Sequence, residues 1–457
     1  MKKQLLSGLV GLLVAQPALS VDLVETYEKA LSYDSGIASA KASFEAQQAA
    51  SEVSKSYLLP QVGAYGEADH TDVDGDLQDN SYQTLTYGVQ LSQPLFQAEA
   101  WFTYDASKYT TESAKADYNL AQQQLILDVA TAYFDVLRAQ DTVTTALATE
   151  AAIQRQYEQA QERFDVGLIA ITEVYEARAS YDDSKSQRIA AENQLNIARE
   201  QLARLTGEYA DDLENLLQDF PLGRPEPMDP AQWEATALKQ NWSIQSAIYQ
   251  LNASESNLKV AKAGHYPTVN LTASYGDTDI HNGTATQFEG TQGVLGVTLN
   301  VPLYAGGGIQ AGVRQQRSLL DVAQQTLNTV RRDVRVSTRS LYLTVNNNVE
   351  TASALEKTII SRRSALDATR AGYEVGTRNI VEVLDAERAY YVALRDYANA
   401  RYDYVVNTLQ LKQVAGILSP QDLIDLNNWL SETAPGIEAL ANEHKVLEDP
   451  TMPAPVN

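Results

Sequence analysis

The sequence predicts a mixed α and β membrane protein in which one pattern of helices and strands occurs twice. Three observations predict this fold: segments recur at a nearly constant separation, four short segments alternate apolar and polar side chains, and long stretches contain neither glycine nor proline. The clearest repeat aligns residues 164–174 with residues 373–383, so that Gly376 lies 209 positions after Gly167. Such an internal duplication indicates that each chain supplies two similar structural units to one larger assembly.

The repeats divide the 457 residues into segments with different expected roles. Lys2 and Lys3, followed by an apolar stretch and by small residues up to Ser20, predict a secretory signal peptide. Each repeat is predicted to run helix, strand, strand, long helix, helix. The expected boundaries are a signal peptide at 1–20, a first repeat at 21–210, a connector at 211–230, a second repeat at 231–419, an equatorial segment at 420–430 and a disordered tail at 431–457.

Two strands are predicted in each repeat, because apolar and polar residues alternate there with a period of two. The four segments are residues 62–69, 84–91, 269–275 and 295–301. Each is close to the roughly ten residues that a tilted membrane-spanning strand requires. The acidic segments 70–81 and 276–290 are expected to be exposed loops that join the strands into two hairpins.

Long helices are predicted where glycine and proline are absent and apolar residues recur at helical spacing. The four stretches are residues 97–166, 168–206, 313–371 and 377–415. A helix of about 70 residues is on the order of 100 Å long, several times the roughly 30 Å apolar thickness of a bilayer. The helices are therefore expected to extend far outside the membrane.

The strand count predicts an oligomer. Four strands cannot close a barrel, and an open edge in lipid leaves backbone groups without hydrogen bonds. Two chains would supply eight strands, whose interior is filled by side chains, whereas three chains would supply twelve and leave room for a channel. The sequence thus favours a trimer with one shared twelve-stranded barrel, continued by an α-helical coiled-coil barrel.

Charge and composition exclude several classes of function. The net charge of −24 argues against a nucleic-acid partner, because phosphate binding requires clustered lysine and arginine. The chain has no cysteine, and its four histidines are scattered without metal-ligand spacing. We therefore expect no catalytic residue, no metal site and no cofactor.

Several motifs, in order along the chain, resemble the TolC family of outer-membrane channel proteins. The matching motifs are Leu58–Gln61, Thr131–Phe134, Arg163–Leu168 and Gly376–Ala386, and the likeness extends from about Asp22 to Asn428. The resemblance implies a homotrimer in the outer membrane of a Gram-negative bacterium, with its helical barrel in the periplasm. It also implies a passive exit duct of tripartite efflux pumps or type I secretion. The duct would be opened by a periplasmic adaptor (a membrane fusion protein) and an inner-membrane transporter of the RND, ABC or a similar class.

Glu382 and Asp385 are the candidate charged residues of the channel entrance. They are three positions apart on a predicted helix, so they share one face. By pattern alone this is also what a solvated helix face looks like. The resemblance implies that they belong to an acidic ring at the periplasmic entrance, although the family usually has aspartate where this chain has Glu382. Crowded carboxylates attract cations, so we expect a cation-preferring entrance.

Four polar residues flank the two predicted helical turns. They are Thr172, Glu173, Tyr373 and Arg378. The resemblance implies that they form a latch that ties neighbouring helix pairs together in the closed state. Without the resemblance, scattered surface polar residues explain them equally well.

The turns themselves are the candidate contact surface for the adaptor. Their residues are Asp165, Val166, Gly167, Leu168, Glu374, Val375, Gly376 and Thr377. Each turn contains a glycine suited to a left-handed helix cap, and turn chemistry alone accounts for that glycine. The resemblance adds the expectation that these tips meet the adaptor.

A different class of function fits the same architecture. A trimeric surface adhesin, or a structural coiled coil anchored by a small barrel, would also combine long helices with a few membrane strands. The two hypotheses place the helices on opposite sides of the membrane.

Overall fold

The structure is a computed structural model that describes residues 21–74, 80–210, 212–281 and 288–431. The predicted signal peptide, the predicted tail from residue 432 onward, residue 211, and residues 75–79 and 282–287 of the two predicted loops lie outside the described residues.

Within the described residues, helices and strands follow one another in the same order in the two halves of the chain, except that the second half has one additional short helix before its last strand. The first half contains α1 (Leu23–Tyr33), α2 (Ser35–Ser56), β1 (Gln61–Val73), β2 (Asn80–Phe96), α3 (Ala98–Asp165), α4 (Ile171–Thr206) and a short strand β3 (Asn215–Leu216). The second half contains α5 (Pro230–Gln240), α6 (Trp242–Ala263), β4 (Thr268–His281), β5 (Phe288–Asn300), α7 (Gly308–Glu374), α8 (Ile380–Val414), α9 (Pro420–Asn427) and β6 (Leu430–Ser431).

The internal duplication is confirmed by the lengths of corresponding helices. Helices α3 and α7 have 68 and 67 residues, and α4 and α8 have 36 and 35. Each repeat begins with two helices rather than the single one predicted, because the chain is interrupted at Asp34 and at Asn241. Asn241 caps the second helix of its pair by accepting a hydrogen bond from the Ile244 N–H at 3.1 Å.

The four long strands form one antiparallel sheet in the order β1-β2-β4-β5. The strands are longer than predicted, since residues 70–73 and 276–281, expected in loops, continue the sheet. The side-chain alternation stops there, but backbone hydrogen bonding does not depend on it: His70 is still paired with Gln83, and Gln83 with His281.

The two faces of this sheet differ in polarity. One face carries large apolar side chains that are exposed in the chain, and these are Leu85, Tyr87, Val89, Leu295, Val297 and Leu299. The opposite face carries small and polar residues such as Thr84, Thr86 and Gln90. An exposed apolar face opposite a polar one is the pattern of strands that separate lipid from water.

Among the residues that the structure describes, no helix is both long enough and apolar enough to cross a bilayer.

The chain divides into two compact units, and each takes residues from both repeats. Unit 2 comprises residues 36–122 and 234–337 and contains the sheet. Polar pairs hold its helices together: the Ser113 and Ser246 hydroxyls are 3.0 Å apart, and the Ser256 hydroxyl donates to the Asp105 carboxylate at 3.0 Å.

Unit 1 comprises the described parts of residues 1–35, 123–233 and 338–457. Its core includes Tyr133 and Phe134, whose side chains are fully buried. The Tyr133 hydroxyl donates to the Glu214 carbonyl oxygen at 2.9 Å, beside the short strand β3. Strand β3 pairs with β6, so Ser431, the first residue of the predicted tail, is part of a strand.

Candidate functional site

The two predicted turns are present in unit 1, and both have the same backbone geometry. Gly167 and Gly376 have φ values of 77° and 78°, in the left-handed region that glycine adopts without steric cost. In the first turn the Leu168 N–H donates to the Arg163 carbonyl and the Gly167 N–H to the Phe164 carbonyl, each at 2.8 Å. This pair of bonds is a Schellman motif, which satisfies the last carbonyls of helix α3.

The second turn repeats these bonds. The Thr377 N–H donates to the Gly372 carbonyl at 2.8 Å, and the Gly376 N–H donates to the Tyr373 carbonyl at 3.1 Å. The Thr377 hydroxyl also donates to the Gly372 carbonyl, at 3.0 Å. Two helical hairpins with matching tips therefore follow from two copies of one local sequence.

Apolar side chains are exposed at both tips. Val166, Leu168 and Val375 are 70%, 73% and 75% exposed. Asp165 and Glu374, the last residues of α3 and α7, place one carboxylate beside each tip. Each tip thus offers an apolar contact next to a negative charge.

Tyr373 lies in an apolar cluster rather than on the surface. It is 9% exposed and packs with Ile153, Ile380, Val383 and Leu384, and the partly buried Tyr181 lies against the same cluster. The cluster takes residues from α3, α4, α7 and α8, so it ties the two helical hairpins of one chain together.

The Tyr373 ring also has a cationic neighbour that sequence inspection missed. The guanidinium carbon of Arg163 lies 4.6 Å from the ring centroid, within the range of a cation–π contact. The buried Tyr373 hydroxyl has no hydrogen-bond partner among the described residues. The predicted latch tyrosine is therefore anchored by its ring, while its buried hydroxyl is left unpaired within the described chain.

Arg378 and Glu382, predicted for two different roles, form an ion pair with each other. Arg378 Nη1 is 2.6 Å from Glu382 Oε2. The Glu382 N–H donates to Asn379 Oδ1 at 2.9 Å, so Asn379 is the N-cap of α8. A carboxylate in the first turn of a helix is stabilised by the unpaired N–H groups there. Glu382 is thus held by a guanidinium and by a helix end.

Asp385 differs from Glu382 in its surroundings. It is exposed on the next turn of α8, and among the described residues its carboxylate has no ion-pair partner. Of the predicted acidic pair, Asp385 is therefore the carboxylate whose charge is not neutralised within the chain. By formal charge, Glu382, Asp385 and Arg378 together contribute one net negative charge per chain.

Thr172 and Glu173 lie in the first turn of α4, after the first tip. Thr172 is exposed and Glu173 is half-buried. Within the part of the chain that the structure describes, neither side chain has a hydrogen-bond or ion-pair partner. The structure therefore does not bring them together with Tyr373 or Arg378 inside one chain, and the latch stays a prediction about neighbouring chains.

A series of ion pairs links successive helices behind the tips. Arg370 of α7 pairs with Glu387 of α8, and Arg388 of α8 is 3.4 Å from Asp183 of α4. Arg188 of α4 is 2.5 Å from Glu150 of α3, and these two partners are mostly buried. The partners are far apart in the sequence except for the first pair, so no spacing pattern could have identified them.

Among the described residues, no group of three or more histidine, aspartate or glutamate side chains is arranged to hold a metal ion.

Comparison with known proteins identifies the family. The family model described as "Outer membrane efflux protein" matches residues 26–208 and 233–417, which correspond closely to the two repeats. The outer membrane protein TolC of Vibrio cholerae serotype O1 is 36% identical over 413 residues, 90% of this chain and 94% of that protein. TolC of Escherichia coli K12 is 33% identical over 475 residues, 99% of this chain and 96% of that protein.

A solved structure shows the same fold. The chain superposes on a crystal structure of CusC, a protein whose structures were solved to follow its folding and transmembrane channel formation. The TM-score is 0.77, with 18% identity over 87% of this chain and 92% of that one. The sequence matches cover both repeats, and the superposition covers most of the fold. The chain belongs to the outer membrane efflux protein family.

Proposed function

We propose that three copies of this chain form an outer-membrane exit duct for efflux or secretion, opened from the periplasm by an adaptor and an energised inner-membrane transporter. The observation that carries this proposal is the sheet in unit 2. Its four strands are apolar on one face and polar on the other, and the outer edges of β1 and β5 have no partner strand within the described chain. Family membership supplies the same interpretation independently.

The duct must be shared between chains for a physical reason. A four-stranded sheet in lipid leaves two edges of unpaired N–H and C=O groups, and each unpaired group costs several kcal/mol. Pairing β1 of one copy with β5 of the next removes every edge when three copies close into a ring. The apolar face then meets lipid and the polar face lines water.

The helices extend the conduit into the periplasm. Helices α3 and α7 begin within a few residues of strands β2 and β5, and each is about 100 Å long at roughly 1.5 Å per residue. The proposed duct uses no energy source of its own and catalyses no reaction, as expected for a family of channels.

The two tips are proposed as the adaptor's contact surface. Their support is the exposure of Val166, Leu168 and Val375 beside Asp165 and Glu374. Isolated apolar side chains are common on surfaces, but Val166 and Val375 occupy matching positions of the two tips, and Leu168 enlarges the exposed apolar surface of the first tip. An adaptor with apolar residues flanked by basic ones would complement it.

Glu382 and Asp385 are proposed as the acidic ring of the entrance, with Arg378 as its regulator. Three chains would contribute six carboxylates and three guanidinium groups. Because Arg378 pairs with Glu382, the uncompensated charge of the ring is carried by Asp385. We expect cations to be preferred at this entrance and the preference to depend on Arg378.

Tyr373, Arg378, Thr172 and Glu173 are proposed as the closed-state latch between neighbouring helix pairs. The Tyr373 hydroxyl has no hydrogen-bond partner among the described residues, which supports this role because the hydroxyl retains its hydrogen-bonding capacity. Thr172 is exposed and Glu173 is half-buried, so a neighbouring chain can contact both. Exposed polar contacts contribute about 0 to 1 kcal/mol each, so three copies of the latch amount to a few kcal/mol. A docking partner can supply that free energy.

A labelling experiment on intact cells tests the proposed function against the adhesin alternative. The native chain has no cysteine, so Asp72→Cys on strand β1 and Leu168→Cys at the first tip each introduce a single reactive thiol. A membrane-impermeant maleimide is expected to label Asp72→Cys on intact cells and Leu168→Cys only after the outer membrane is permeabilised. Labelling of Leu168→Cys on intact cells would place the tips outside the cell and refute the duct.

A further inference from the structure

One row of the sheet in unit 2 contains two adjacent glycines next to a tyrosine. Tyr65 of β1 is paired with Gly88 of β2, and Gly88 is paired with Gly276 of β4. Cross-strand partners project to the same face, and Gly88 alternates with Thr86 and Gln90 along β2. The three residues therefore lie on the polar face of the sheet.

The Tyr65 side chain lies along the sheet surface. Its hydroxyl oxygen would be 2.9 Å from a Cβ placed on Gly88 and 2.8 Å from a Cβ placed on Gly276. Neighbouring strands are about 4.8 Å apart, so an oxygen equally close to both positions lies above the boundary between β2 and β4. The Tyr65 side chain therefore extends from β1 across β2 towards β4 and does not project away from the sheet.

Its burial agrees with this orientation. Tyr65 is half-buried, although the residues on either side of it, Ala64 and Gly66, are exposed. A tyrosine that pointed away from the sheet would be as exposed as its neighbours. The ring is therefore packed on the backbone of the adjacent strands.

No side chain larger than hydrogen fits at either glycine. A Cβ on Gly88 would also lie 2.6 Å from the Tyr275 carbonyl oxygen, and one on Gly276 would lie 2.7 Å from the Tyr87 carbonyl oxygen. Gly63 shares the strand and the face of Tyr65, yet a Cβ there would meet nothing within 4 Å. Close packing thus requires glycine beneath the ring and not elsewhere on this part of β1.

We propose that Gly88 and Gly276 form a seat that holds the Tyr65 ring flat against the inner wall of the barrel and so keeps the bore open at this row. This inference rests on the proposed function, because the polar face is the inner wall only in the closed barrel. The trimer places three such rings in one row, and the fourth strand of each chain adds Gln292, the partner of Gly276. Three upright tyrosines would instead narrow the bore and bind passing cargo. The width of the barrel at this row is thus determined by two glycines on strands that do not carry the tyrosine.

The test measures how large a molecule reaches this row. Gln292→Cys, in full-length trimers purified in detergent, introduces the only thiol of the chain. Two maleimides are compared, one small and one carrying a short polyethylene glycol chain. The labelling rate of the larger reagent divided by that of the smaller one reports the width of the bore. We expect Tyr65→Ala to leave this ratio unchanged, because a ring on the wall obstructs nothing. We expect Gly276→Ala to lower the ratio several-fold, because the new methyl group displaces the ring into the bore.

Matched variants separate the ring from other effects. Gly63→Ala adds the same methyl group on the same face where nothing contacts it, and it should label as the parent does. Adding Tyr65→Ala to Gly276→Ala should restore the ratio, which distinguishes ring displacement from backbone strain near Tyr87.

Two results would overturn the proposal that Gly88 and Gly276 hold the Tyr65 ring against the wall. One is a several-fold increase in the ratio on Tyr65→Ala alone, which would mean that the ring already projects into the bore. This variant leaves both glycines intact, so it decides the matter even if Gly276→Ala fails to assemble. The other is an assembled Gly276→Ala trimer that labels like Gly63→Ala. If no lumen existed, the parent itself would show no discrimination against the larger reagent, and that outcome identifies a failure of the proposed function.

Discussion

Burial of Asp141 in unit 1 predicts a specific dependence of stability on pH. Asp141 of α3 is 8% exposed and accepts a hydrogen bond from the Tyr402 hydroxyl of α8 at 2.7 Å. Burial raises the pKa of Asp141 from its ordinary value of 3.8 to about 6, although the Tyr402 hydrogen bond and the nearby charge of Arg401 both lower it. Burial also raises the pKa of the Tyr402 hydroxyl, which therefore stays protonated and donates.

The sign of the effect follows from the direction of the shift. Between about pH 4 and pH 6 the folded chain binds a proton at Asp141 that the unfolded chain has released, so stability falls as the pH rises through this window and is then level. The full shift corresponds to about 3 kcal/mol, and about 2 kcal/mol of it is lost between pH 4.5 and pH 7.5. By the scaling for domains of 150 to 250 residues, this lowers the melting temperature by about 4 to 8 °C.

The assay compares Asp141→Asn with the parent by circular dichroism melting of purified trimers at pH 4.5 and pH 7.5, at one fixed heating rate. Other carboxyl groups titrate in both proteins, so the difference between them isolates Asp141. We expect the parent to lose about 2 kcal/mol more than Asp141→Asn on going to pH 7.5. Asp182→Asn, which alters an exposed pair with Arg178, should follow the parent.

Tyr402→Phe provides a second check of the same pair. Loss of the hydroxyl removes a hydrogen bond to a charged group, worth about 1.5 to 3 kcal/mol, and should steepen the pH dependence. The reasoning is refuted if Asp141→Asn differs from the parent by the same amount at both pH values.

Three further predictions concern the region of the tips. Arg378→Ala should make divalent cations block the channel several-fold more strongly in single-channel recordings at 0.1 M salt, because it leaves the Glu382 charge unpaired. Arg378→Lys should not increase the block. The increase should largely vanish at 1 M salt, because the Debye length falls from about 10 Å to about 3 Å. Gly376→Ala should lower trimer stability by about 1 kcal/mol, because alanine is strained at a φ of 78°. Gly312→Ala, in a helix where the added methyl group meets open space, should not lower it. Equal melting temperatures of the two variants would contradict the role of the left-handed cap. Arg370→Ala should destabilise the chain by about 3 to 5 kcal/mol, because it leaves Glu387, 1% exposed, as an unpaired buried charge. Adding Glu387→Gln should recover much of the lost stability. A double variant as unstable as Arg370→Ala would show that loss of the ion pair is not the cause.

Local chemistry is what the sequence by itself determined about this protein. Gly167 and Gly376 predicted the two tips, since only glycine enters the left-handed region without cost, and both are observed there. The alternation at 62–69, 84–91, 269–275 and 295–301 predicted all four strands, and the count of four predicted a shared barrel. These features depend on residues a few positions apart, which is why a single sequence reveals them. Motif resemblance added the channel family, which the comparisons confirm.

Only the tertiary structure decided which distant residues meet. Tyr373 packs against Arg163, Tyr402 bonds to Asp141, and Tyr65 lies over Gly276, across more than 200 residues in each case. The strand ends were also misjudged, because backbone pairing with a neighbouring strand continues past the point where side-chain alternation stops. Contacts of this kind arise when helices and strands pack together. Their geometry is a property of the assembled fold and leaves no periodic signal along the chain.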